Sequence, residues 1–77
     1  MILKIGNRAS FEVSSFAEAS RFYAQYRDAT FEGASTFPDG VILHGSRTIA
    51  RVSYNAKVWP PGKWHEGQTP LFNPYSK

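Results

Sequence analysis

Apolar residues recur at helical spacing between positions 16 and 28. At about 100° per residue, Phe16, Ala19, Phe22, Tyr23 and Tyr26 share one arc, while Glu18, Arg21 and Gln25 lie opposite. Ser15 followed three residues later by Glu18 forms a capping box, in which side chains satisfy the free amides of a first helical turn. Glu18 near the start and Arg27 near the end complement the helix dipole. The pattern predicts an amphipathic helix over 16–28.

Beyond it, two turn signals frame strands. Pro38-Asp39-Gly40 fits a three-residue hairpin loop with a bulge, which sets Phe37 opposite Val41. Gly45-Ser46 fits a two-residue loop whose glycine supplies the positive φ. That loop pairs His44 with Arg47, Leu43 with Thr48, Ile42 with Ile49 and Val41 with Ala50. Directly opposed residues share a face. One face then holds Phe37, Val41, Leu43, Ala50, Val52 and Tyr54, and the other holds Ile42, His44, Arg47, Ile49, Arg51 and Ser53.

At the N-terminus, Ile2 to Ile5, a Gly6-Asn7 turn and Arg8 to Val13 form a further hairpin. Ile2, Ala9, Phe11 and Val13 fall on one side, and Leu3 and Ile5 on the other with Arg8, Ser10 and Glu12. This mixed face leaves the first strand open to fraying or to exchange with a neighbouring copy. The elements together predict an α+β fold: one amphipathic helix packed on an antiparallel sheet of four to five strands, in the order ββαβββ.

Residues 60–77 change character. They hold four of the five prolines and two glycines, which excludes helix and central strand. They also carry Trp64, Phe72 and Tyr75, directly after Trp59, whereas free tails are poor in aromatics. The division expected is a domain over 1–59 and an extended C-terminal segment over 60–77. That segment either straps across the domain or docks on another chain.

Composition narrows the chemistry. A 77-residue chain is one domain at most and buries only about 60–65% of its unfolded surface. The absence of cysteine removes disulfides, thiolate zinc sites and cysteine nucleophiles. Lys4 and Gly6 interrupt any signal-peptide core, and no apolar run is long enough for a bilayer span. A small, soluble, cytoplasmic domain with no membrane association is expected. The net charge of +3 is unevenly spread: residues 1–40 hold four bases and five acids, and residues 41–77 hold five bases and one acid. Such asymmetry points to an acidic partner.

Catalytic patterns are missing. Gly40 to Ser46 has the glycine spacing of a phosphate loop but no lysine to bridge phosphates. His44 and His65 are remote in sequence, with no H-E-x-x-H pair, and no Gly-x-Ser-x-Gly elbow is present. No catalytic residue, metal ligand or cofactor is assigned. The run from Phe11 to Tyr23 resembles the opening strand and helix of a vicinal-oxygen-chelate module, whose order is βαβββ, over about residues 9–54. The resemblance implies a metal held by a histidine on the first strand and a glutamate on the last. Phe11-Glu12-Val13 has no histidine and Val52-Ser53-Tyr54 no glutamate, so that chemistry does not carry over. Gly33 to Gly40 and Ala50 to Asn55 also resemble small bacterial or phage-borne proteins of uncharacterised activity.

Two surfaces remain as candidates. Ile42 and Ile49, opposed on a nominally solvent face, call for a cover. Trp59, Trp64 and Phe72 supply aromatic anchors of the kind that dominate interfaces. His44, Arg47, Arg51 and Lys57 form a basic set suited to an acidic partner or to phosphates. The function expected is a non-catalytic binding or interaction module, with a protein partner or self-association. The alternatives are a nucleic-acid-binding accessory protein using the basic residues, and an enzyme or metal site completed only at a dimer interface.

Overall fold

The computed structural model of the chain describes residues 1–63 and 65–75. Its elements are β1 (Ile2–Ile5), β2 (Ala9–Glu12), α1 (Phe16–Thr30), β3 (Gly40–His44), β4 (Arg47–Val52) and β5 (Val58–Trp59). The five strands form one antiparallel sheet in the order β2-β1-β3-β4-β5, with the helix on one face. The fold is α+β in the predicted ββαβββ order.

The helix begins as its capping box dictates. Ser15 Oγ accepts from the Glu18 amide at 3.0 Å, and the Glu18 carboxylate accepts from the Ser14 amide at 2.9 Å, one residue earlier than in the usual reciprocal pair. Ala19 and Tyr23 are fully buried against the sheet. Ser20, also buried, donates to the Ala56 carbonyl at 2.7 Å, so its hydroxyl is paired. The helix ends at Phe31, whose φ of 60° lies in the left-handed region usual for a helix stop.

Strand register departs from expectation at two points. The N-terminal hairpin has a three-residue loop, Gly6-Asn7-Arg8, with Gly6 at φ 53° and the Arg8 amide donating to the Ile5 carbonyl. Leu3 therefore opposes Phe11 and Ile5 opposes Ala9, all on the helix side. This one-residue shift resolves the mixed face. In the second hairpin, Gly45 takes φ 65° and His44 pairs with Arg47 as expected, but a bulge then leaves Ile49 without a partner. Ile42 consequently faces Ala50, and Val41 faces Arg51.

The bulge exchanges the predicted faces along β3. Ile42, expected on the solvent side, is completely buried under the helix with Leu3, Ile5, Ala50, Val52 and Val58. Val41 and Leu43, expected in the core, line the opposite face. Ile49 lies partly buried against the core.

The segment ending at Phe37 is a loop. The missing strand is supplied instead by β1, which pairs with β3, and by β5 at the far edge. Phe37 is buried within a run of aromatic contacts, 5.4 Å from Tyr23, 5.9 Å from Tyr26 and 6.2 Å from Tyr54 between ring centroids. Three side chains hold its loop. The Tyr23 hydroxyl donates to the Pro38 carbonyl at 2.9 Å, the Tyr54 hydroxyl donates to the Glu32 carbonyl at 2.7 Å, and Arg8 pairs with the Glu32 carboxylate.

Gly40, taken from sequence as a turn glycine, is a close-approach glycine inside β3. A Cβ there would meet Leu3 at 3.0 Å, Tyr23 at 3.2 Å and Val52 at 3.4 Å. Its missing side chain lets the Tyr23 ring lie against the sheet. Gly40→Ala is expected to lower unfolding free energy by about 1–3 kcal/mol in urea titrations, whereas Gly33→Ala, with open space around it, should change little.

Burial, with the Asp39 charge adding to it, holds the Tyr23 hydroxyl well above the ordinary tyrosine pKa. The native state thus keeps Tyr23 neutral, while the unfolded residue ionises at about pH 10. This contribution to stability is complete below that pH and is lost as pH rises toward the raised native pKa. Denaturant midpoints followed from pH 8 to 11 should therefore fall, and Tyr23→Phe should flatten the decline.

Candidate interaction surfaces

The face of the sheet away from the helix carries two rows that run across the strands. Register places Ser10, Lys4, Val41, Arg51 and Trp59 in one row, and Glu12, Ile2, Leu43 and Thr48 in the other. Ile2, Val41, Leu43 and Trp59 are half-buried and Lys4 is exposed. The rows arise because β1, β3 and β4 alternate strictly up to the bulge, so each apolar residue under the helix has a neighbour turned to the open side.

The predicted basic set does not share this face. Arg51 lies on it, but His44 and Arg47 close the hairpin one step beyond the Leu43–Thr48 pair, which parity assigns to the helix side. Lys57 is half-buried at the turn before β5, where its amide donates to Asn55 and its carbonyl accepts from the Ser53 amide. Arg51 also has internal work. Its guanidinium lies 5.8 Å from the Trp59 ring, donates to the Gly62 carbonyl at 2.9 Å and reaches Gln68 at 3.3 Å. Both acceptors are neutral, so the positive charge is retained.

Among the C-terminal aromatics, Trp59 belongs to the sheet, and its indole N–H donates to Ser53 Oγ at 2.9 Å. Phe72 packs against the core, and its backbone forms a bridge with Val58: the Val58 amide donates to the Phe72 carbonyl at 2.9 Å. The Leu71 and Phe72 amides in turn donate to the Val58 carbonyl. Residues 71–72 thus cover the free edge of β5. Trp64 lies outside the described residues. Leu71 and Tyr75 remain exposed.

Two features escape the sequence reading. Phe31, at 96% exposure, is the most exposed large apolar side chain among the described residues, and it sits in the left-handed helix stop. A phenylalanine directly after a helical pattern was the available signal. The second is a groove of about 330 Å³ between β2 and α1, lined by Phe11, Phe22, Gln25 and Tyr26. Phe11 lies 5.7 Å from Phe22 and 6.2 Å from Tyr26, centroid to centroid, and Arg21 stacks over Phe22. Once Phe11 is assigned to the helix face, its meeting with Phe22 and Tyr26 follows.

The groups with shifted protonation serve the fold. The Arg8 hydrogen bond holds the Glu32 carboxyl below its ordinary value, and Glu32 raises the Arg8 guanidinium in return. No group of three or more metal-ligating side chains occurs among the described residues, and no helix there is long and apolar enough to cross a membrane. No protein-family model, curated protein or solved structure matches the chain.

Hydrogen exchange separates the anchored part of the C-terminal segment from the rest. The Leu71 and Phe72 amides should exchange slowly, and Arg51→Ala should speed exchange at Gln68, whose amide is bonded to the His65 carbonyl, while leaving Phe72 protected.

Proposed function

We propose that the chain is a non-catalytic binding module whose open sheet face receives an acidic protein partner. The supporting observation is the row Lys4, Val41, Arg51 and Trp59, in which two cations flank an apolar residue beside an aromatic anchor. Among the described residues neither Lys4 nor Arg51 is in an ion pair. Apolar centres with a charged rim bind through the centre and select through the rim. Ile2 and Leu43 extend the centre into the second row. A cytoplasmic setting suits a chain without cysteine.

The same row favours a second reading. Trp59 beside Arg51 and Lys4 is a place where one base could stack with its phosphates neutralised, as in single-strand binders. It offers one ring where such surfaces use several, which ranks nucleic acid below an acidic peptide.

Titration of isotope-labelled protein with an acidic peptide carrying leucine and phenylalanine should shift the Lys4, Val41, Leu43 and Trp59 resonances. Lys4→Glu or Val41→Asp should weaken that binding by about tenfold or more while leaving the circular dichroism unchanged. Shifts with a single-stranded oligonucleotide alone would favour the second reading. No shift with either ligand at low salt would overturn the proposal.

A further inference from the structure

The two edges of the sheet are unlike. The β5 edge is covered by Leu71 and Phe72, whereas β2, at the other end of the strand order, has no neighbour outside it among the described residues. The Val13 amide donates to the Met1 carbonyl, and this fixes the parity of β2: Ala9, Phe11 and Val13 bond inward to β1. The N–H and C=O groups of Ser10 and Glu12 therefore point outward. Beyond them the edge is closed, because the Arg8 amide donates to Ile5 and the Ser14 amide to Glu18. The usual edge defences of proline, lysine or a bulge are absent from Ala9–Glu12. Directly beside these free groups lies the groove of Phe11, Phe22 and Tyr26.

We infer that β2 pairs antiparallel with β2 of a second copy of this chain across a two-fold axis at Phe11, joining two five-stranded sheets into one. The register follows from charge. An axis at Glu12 would set like carboxylates against each other. An axis at Ser10 would set Arg8 against the partner's Glu12, but Arg8 is committed to Glu32 and lies over the Phe37 ring. The axis at Phe11 sets Ser10 opposite the partner's Glu12, hydroxyl donor to carboxylate acceptor, twice over. The four outward groups of each strand are then all used, in four backbone hydrogen bonds.

That register also places Phe11 against its own copy as a non-hydrogen-bonded pair, where side chains approach most closely. Each Phe11 ring would then cover the groove formed by Phe22 and Tyr26. An isologous contact of this kind closes on itself and cannot propagate. It uses the strand edge, the helix-side groove and, on the open face, only the Ser10 and Glu12 side chains, leaving Lys4, Val41, Arg51 and Trp59 free, so it stands independently of the partner proposed above.

Sedimentation of the full chain should show a species of twice the 8.7 kDa chain mass that dissociates on dilution. Ser10→Pro removes one outward N–H without touching the β1 ladder and should give a folded monomer. Register is read separately, because the chain has no cysteine of its own. Phe11→Cys should form an intermolecular disulfide under mild oxidation, and Ser10→Cys should do so far more slowly. Three results would overturn the inference: a wild-type monomer at millimolar concentration, a Ser10→Pro variant that stays dimeric, or preferential cross-linking of Ser10→Cys. Should Ser10→Pro fail to fold, the cross-linking pair decides alone.

Discussion

The fifteen-residue helix α1 shields one face of this sheet, so strand register decides which side chains are core and which are surface. Two local devices set that register: the three-residue loop at Gly6-Asn7-Arg8 and the unpaired Ile49 in β4. Without the first, Ala9 and Phe11 would leave the face that Leu3 and Ile5 share. Without the second, Ile42 would change places with Val41. Each shift is one residue long, and each moves a strand's whole apolar set across the sheet.

The rest of the packing locks these choices in. Gly40 lets Tyr23 approach the sheet, and the Tyr23 hydroxyl then anchors the loop that carries Phe37. Phe37 in turn joins Tyr26 and Tyr54, and the Tyr54 hydroxyl returns to the same loop at Glu32. On the far side, Ser20 receives the Ser53–Lys57 turn through the Ala56 carbonyl, and that turn starts β5. A domain this small has few redundant contacts, so its aromatic residues act as struts first. Trp59 and Phe72 show this, one bonded to Ser53 and the other packed on the core.

Much of the fold is legible in the sequence. The capping pair at Ser15 and Glu18, the Gly45-Ser46 turn and the element order all rest on local chemistry, and all appear in the structure. The faces of β1 and β3 are less legible, because a bulge at Ile49 and a third loop residue at Arg8 carry no distinct local signal. Pro38-Asp39-Gly40 misleads for a related reason: glycine marks both tight turns and close approaches, and only the Tyr23 ring across the sheet tells which. The basic cluster dissolves with the same bulge, which separates Arg51 from His44 and Arg47. In its place the structure brings Lys4, from the first strand, into one row with Arg51 and Trp59 of the last two.

Register is therefore the claim to test first. A soluble paramagnetic probe, read out on methyl resonances, reports which side chains face solvent. Strong broadening of Ile2, Val41 and Leu43, with Leu3, Ile5, Ile42 and Val52 unaffected, is the predicted result. Broadening of Ile42 with Val41 and Leu43 silent would restore the unbulged pairing and contradict the account.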